Sequence, residues 1–357
     1  MPESIKCLAL TATLTAIVSG SGLAQVEVRS QALEITLTGR VHSQFSTTSV
    51  AGERASEFQI RRARFTAALT INDFVDGRIQ PDFGQGKISL RDAYLRLTFD
   101  RAFRVSFGQF KRAFDIFELP SSTQILVIER TGSIKGVDDC VGPGGLCSWS
   151  RLTEQLAYSD RDIGVALDGR AGSNLEYRLT VTNGTGNNAA DENGTKSYAG
   201  RATVLVSSGV RLGANVALHD YPNPITARDE YAVAYGADLE IGTYGDRVHF
   251  QGGVISGENW RNLSVTGSPS TLLAAQGILS YRIRLSENGR LDAVEPLGRI
   301  SWGDPDTAAA GAGGLLVTPG VAFHFTGRNM LVANVDLWSP STGGAEWSIK
   351  MQSFLHF

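Results

Sequence analysis

Apolar and polar residues alternate along most of this chain with a period of two. Near its end Trp347, Ile349, Met351, Leu355 and Phe357 share one parity, and Ser348, Lys350, Gln352 and His356 share the other, with Phe354 out of step. Alternation of this kind is a strand with one apolar face. The same pattern predicts strands at 33–46, 57–70, 74–83, 88–99, 103–110, 160–168, 174–183, 198–207, 210–219, 229–241, 246–256, 272–285, 291–302, 314–325, 328–338 and 346–357. The connections alternate too. Short links fall at 72–73, 100–102, 169–173, 208–209, 242–245, 286–290 and 327, and long ones at 47–56, 111–159, 184–197, 220–228, 257–271, 303–313 and 339–345. Only 84–87 breaks the rhythm. Sixteen strands joined by turns on one side and loops on the other predict an all-β fold, a transmembrane antiparallel barrel with both chain ends on the side of the short turns.

The two parities differ in chemistry. One carries Ile35, Leu37, Val41 and Phe45; Leu95, Leu97 and Phe99; Tyr231, Val233 and Tyr235; Leu315, Val317 and Phe323. These suit acyl chains, and Trp302, Trp338, Trp347, Tyr231 and Phe357 near strand ends suit the interfacial aromatic belts. The opposite parity carries Arg40, Arg64, Arg78, Arg96, Arg104, Arg178, Arg201, Arg211, Arg282, Arg299 and Lys350 beside Asp76, Asp82, Asp92, Asp162, Asp238, Glu240, Glu295 and Asp336. A soluble sandwich fills its interior with apolar side chains. So much charge on the inner parity predicts water inside.

Composition agrees. A mean hydropathy of −0.07 is what alternation gives when lipid-facing and water-facing residues cancel. No segment beyond the start has an unbroken apolar run long enough for a spanning helix. Lys6, the apolar run Leu8–Val18 and the small-residue end at Gly22-Leu23-Ala24 predict a secretory signal peptide over 1–24, leaving 25–357 as one barrel domain. Export makes a disulfide between Cys140 and Cys147 the expected state of that pair. Both cysteines fall in 111–159, a connection long enough to fold partly into the lumen, with Phe114-Asp-Ile-Phe-Glu-Leu119 as an apolar anchor. A net charge of −3 gives no reason to expect nucleic acid. No Gly-x-Ser-x-Gly turn occurs, the five His are scattered, and no ligand spacing for a metal is present. Neither catalysis nor a cofactor is expected.

One strand departs from strict alternation. Phe58 and Ile60 mark one outward parity, and Ala63, Phe65, Ala67 and Leu69 mark the other. The switch predicts a β-bulge at Arg61-Arg62, which would turn both guanidiniums inward beside Arg40 of the preceding strand. Clustered guanidiniums present forks of donors that match oxyanions. Ordinary balancing of lumen acids such as Asp92 would account for the same residues.

Phe58-x-x-Arg61-Arg62-Ala63-Arg64, Ser89-Leu90-Arg91-Asp92-Ala93-Tyr94, Gly108-Gln109-Phe110-Lys111 and Ser121-Ser122 through Glu129-Arg130 together resemble the phosphate-selective porin O/P family of the bacterial outer membrane. The resemblance implies a trimer of sixteen-stranded barrels passing small anions, phosphate among them. It places Arg40, Arg61 and Arg62 in a narrow anion site, with Lys111 joining from the base of the long loop and Asp92 tempering the charge. Arg64, Arg78, Arg96 and Arg104 become looser steps along the path. The alternative is a general or sugar-preferring diffusion porin, for which inward Tyr94 and Phe110 would offer stacking faces.

Overall fold

The computed structural model describes residues 26–30, 33–50, 53–130, 148–285 and 289–357. The expected signal peptide and the Cys140–Cys147 pair lie outside the described residues. A short strand, β1 (Val26–Ser30), precedes the wall. The wall itself comprises β2 (Leu33–Val50), β3 (Glu53–Thr70), β4 (Val75–Asp82), β5 (Ser89–Thr98), β6 (Arg104–Lys111), β7 (Arg161–Ala171), β8 (Leu175–Thr182), β9 (Ser197–Ser207) and β10 (Val210–Asn223). It continues through β11 (Arg228–Ile241), β12 (Val248–Leu263), β13 (Pro269–Tyr281), β14 (Ile283–Arg284), β15 (Ala293–Asp304), β16 (Gly314–His324), β17 (Met330–Pro340) and β18 (Glu346–His356).

Each strand pairs antiparallel with the next, except that β13 and β14 both pair with β15, and β18 pairs with β2, with Met351 opposite Phe45 and His356 opposite Arg40. The ring is therefore closed and leaves no free sheet edge. β13 and β14 are one staircase interrupted at Arg282, since both pair with β15, so the wall has sixteen strands. β1 pairs with the foot of β2, Val26 opposite Leu37, on the side that β18 leaves open below Arg40.

Alternation sorts the side chains as hydrophobicity requires. Phe58, Ile60, Phe65, Leu95, Phe107, Tyr235 and Ile349 point outward and are exposed, while Arg62, Arg64, Asp238, Arg299 and Lys350 are buried inside. Two sequence expectations need correction. Trp338 is not at the outer belt. It shares the inner parity of Asp336, packs on Leu316, and occupies space that a Cβ at Gly314 would fill. The 47–56 connection is also much shorter than expected. β2 and β3 run on as a ladder to Val50 opposite Glu53, because polar residues such as Ser46–Ser49 pair as well as apolar ones once the hairpin stands clear of lipid. The hairpins of β10–β11 and β12–β13 likewise extend into stretches expected as loop. Phe354, the residue out of step in the last strand, faces inward and lies 4.3 Å from the His42 ring.

The described parts of the long β6–β7 connection cross the lumen. They include helix α1 (Trp149–Gln155), whose Ser148 side chain caps it by accepting from Arg151 N. Phe114, Ile116, Phe117, Ile128, Trp149, Leu152, Leu156 and Tyr158 form an apolar cluster against Ala199, Ala217, Ala232, Ala234, Ile255, Leu272 and Ala274. Small inner-wall residues on β9–β13 and β15 make this possible. A Cβ at Gly253 would sit 3.1 Å from Trp149 Cη2, and one at Gly303 would sit 2.9 Å from Leu152 Cδ1. Polar pins fix the register: Trp149 N donates to Ser301 Oγ at 3.0 Å, Trp260 Nε1 to the Leu156 carbonyl at 2.9 Å, and Tyr158 OH to the Glu258 carbonyl at 2.6 Å. One half of the lumen is thus dry and packed.

Candidate anion site

The other half, against β2–β7, is polar. The bulge in β3 is present: His42 pairs with Arg62 and Ser43 with Ile60, leaving Arg61 as the extra residue. Both Arg61 and Arg62 consequently reach inward and bind one carboxylate, that of Glu129. Across the ladder Arg40 lies opposite Arg64 and donates to Ser121 Oγ at 3.1 Å and Gln80 Oε1 at 3.2 Å. Its Nε has no hydrogen-bond partner among the described residues. Arg64 Nε sits 2.6 Å from Asp82 Oδ2, which Arg91 approaches at 3.4 Å. Asp92 binds Arg161 at 2.7 Å and stands 3.6 Å from Arg78. Lys111 Nζ donates to the carbonyls of Glu118, Leu119 and Pro120, so the lysine pins the chain as it turns into the lumen.

These groups enclose a cavity of about 280 Å³ lined by ten cationic side chains and five acidic ones. Among the described residues, Arg40, Lys111 and Arg178 in that lining form no ion pair with a carboxylate. A second cavity of about 410 Å³ lies next to it and shares Arg40, Arg78, Gln80 and Ser121. The Arg40 guanidinium and its two partners form the bar between the two spaces.

Seven of the nine residues singled out from sequence line the first cavity: Arg40, Arg61, Arg62, Arg64, Arg78, Asp92 and Lys111. Arg96 and Arg104 do not. Arg96 pairs with Asp76 at 2.9 Å and Arg104 with Asp168, both near the short turns. Four residues separate Asp92 from Arg96, which at a strand rise of about 3.3 Å per residue is a drop of roughly 13 Å. Parity gives the face a side chain occupies and not its height. Sequence reasoning gave no site role to Glu118, Glu154, Asp160 or Arg161. Arg178 carried only the inner-parity signal, and Glu129, Arg130 and Arg91 only their place in the quoted motifs.

Two loop carboxyls in this lining have opposite electrostatics. Burial alone would raise Glu129, but Arg61 and Arg62 outweigh it and hold the carboxyl well below its usual range. Burial pushes Glu118 up to about 8, although Arg130 stands 3.4 Å away. Tyr94 and Phe110 also line the cavity, and the Arg178 guanidinium lies 5.4 Å from the Phe110 ring centroid, covering that face.

A closed sixteen-stranded barrel with an apolar exterior, a charged interior and a loop folded inside defines an outer-membrane porin. The profile described as "Phosphate-selective porin O and P" matches residues 35–268, well over half of the chain, and the chain belongs to that family. No curated protein matches the sequence. Solved structures share the fold at low identity. The outer membrane channel DcaP of Acinetobacter baumannii superposes with a TM-score of 0.64 at 13% identity, over 92% of this chain and 99% of that one. An anion-selective porin from Comamonas acidovorans gives 0.63 at 10% identity, over 91% and 100%. OmpF of Salmonella typhi, in complex with daunomycin, gives 0.58 at 12%, over 93% and 100%.

Proposed function

We propose that this porin passes small anions, phosphate among them, and that the cavity between β2–β7 and the folded loop is its filter. The observation that carries the reading is the excess of cations around that cavity, ten against five, with Arg40 and Lys111 free of carboxylate partners among the described residues. Arg40 supplies the bar that an anion must pass, Arg61 and Arg62 keep one net positive charge against Glu129, Arg64, held by Asp82, and Arg78 are looser steps along the path, and Asp92 tempers Arg78 and Arg161. Arg96 and Arg104, each already paired, serve as a looser approach. Spaced arginines suit flux, because binding must be favourable enough to enter and weak enough to leave. The anion-selective porin among the fold relatives is in keeping with this. Of the two aromatic faces a sugar could use, Tyr94 and Phe110, Arg178 covers that of Phe110. Export through the periplasm, a Cys140–Cys147 disulfide and assembly as a homotrimer belong to the same reading.

The test is the reversal potential of the full-length protein in planar bilayers under a potassium chloride gradient. The expected sign is that of a chloride-preferring pore. A cation-preferring potential would remove the anion reading while leaving the porin fold untouched.

A further inference from the structure

A carboxylate gripped by the two central arginines of a cationic filter needs a reason. Glu129 Oε1 meets Arg61 Nε at 2.8 Å and Arg62 Nη1 at 2.9 Å, and its Oε2 meets Arg61 Nη2 and Arg62 Nη2 at 2.8 Å each. Two guanidinium forks closing on two oxygens is the geometry in which they would hold a free oxyanion. Nor is Glu129 there by chance of a loose loop. Strands β15 and β17 deliver it. Arg299 Nη1 donates to the Glu129 carbonyl at 3.2 Å and to the Arg130 carbonyl at 2.8 Å, and Ile128 N donates to Asn334 Oδ1 at 2.9 Å. The Glu129 backbone is left-handed, with φ +62°, a conformation that residues other than glycine avoid unless their surroundings impose it.

We propose that Glu129 is a tethered internal anion: its carboxylate occupies the Arg61–Arg62 double fork, so a passing oxyanion gains those arginines only in competition with it, and the filter keeps a weak, quickly released grip. This rests on the anion-channel reading. It makes Glu129 the residue that sets how long an oxyanion dwells, through the availability of two arginines rather than their number.

The test titrates inorganic phosphate against the chloride current of the full-length protein in planar bilayers. Glu129→Gln keeps the shape and removes the charge. The half-blocking phosphate concentration is expected to fall on the order of tenfold, the effect of one charge-assisted contact regained. Glu129→Ala is a second route to the same neutralisation and is expected to shift the block in the same direction. Glu129→Asp, which keeps a carboxylate, is expected to stay close to the unsubstituted protein. Asn334→Ala removes one loop tether while the two Arg299 donors remain, so its half-block should move much less than that of Glu129→Gln. The wall closes through strand ladders that do not include Glu129, so all four variants are expected to insert as heat-modifiable barrels. A half-block that is unchanged or higher in both neutral variants overturns the proposal. So does an equal fall in Asn334→Ala, which would assign the effect to loop mobility. Cation preference of the unsubstituted channel is a separate result, which would overturn the anion reading itself.

Discussion

The two halves of the lumen present the same strand geometry to opposite ends. Against β9–β13 the inward positions include Ala217, Ala232, Ala234 and Gly253, and the loop fills the space they leave with Trp149, Leu152 and Tyr158. Against β2–β7 the inward positions are Arg40, Arg62, Arg64 and Asp82, and the loop meets them with Ser121, Ser122 and Glu129. The outer faces of both halves are apolar. What separates a wet passage from a packed plug is the size and charge of alternate residues on one face, read together with what a loop can lay against them.

Charge itself divides the same way. Against β9–β11 cation and carboxylate match one to one, Arg201 binding Asp238 through two contacts of 2.5 and 2.7 Å. On the near wall cations exceed acids. An inventory of inward arginines therefore overstates the field, because a paired arginine adds little to it.

The largest test of this contrast acts on the dry half. Trp149 is almost fully buried, so Trp149→Ala should weaken loop docking by about 3–5 kcal/mol, the usual result of emptying a large aromatic site. Single-channel conductance should rise several-fold with added current noise, and an unchanged conductance would mean that the plug does not limit the passage. Next in size, Arg40→Gln should lower the anion-to-cation permeability ratio by roughly two- to fivefold at low salt, with little change in thermal unfolding. By contrast, the double replacement Arg201→Gln with Asp238→Asn on β9 and β11 should alter that ratio by less than about twofold, since it removes a cation together with the carboxylate that neutralises it. A shift as large as that of Arg40→Gln would erase the distinction between the walls. The smallest expected effect is one of pH. Glu118 is neutral below about 8 and ionises above it, so anion preference should weaken as pH rises through about 8, and Glu118→Gln should flatten that dependence. The linked effect on loop docking has the same sign. A carboxyl raised on docking favours the docked state below its ordinary range, and that contribution is lost as pH climbs through about 8.

Most of the wall was legible in the sequence because its information is local. Alternation needs only neighbouring residues, and it gave the number of strands, the closure and the facing of Arg40, Arg64 and Arg78. The bulge was legible for the same reason, as a change of phase between Ile60 and Ala63. The partners of those arginines were not. Glu129 lies 67 positions from Arg62 and 170 from Arg299, and nothing in strand periodicity brings them together. Arg161 meets Asp92 only because the loop returns to begin β7 beside β6. The heights of Arg96 and Arg104 were hidden as well, since a period of two repeats at every level of the wall. The Trp338 expectation failed on position rather than pattern: proximity to a strand end outweighed a parity that already pointed inward.

The extra residue in β3 has a consequence for how this wall tolerates change. Because Ser43 faces Ile60 and His42 faces Arg62, removing Arg61 would restore an unbroken alternation, leave Phe58, Ile60 and Phe65 on the lipid side, and cost one guanidinium. Removing a residue elsewhere in the same strand would instead shift the phase and carry its apolar side chains to the water. The bulge at position 61 is thus the one place in β3 where the strand can lose a residue and keep its two faces.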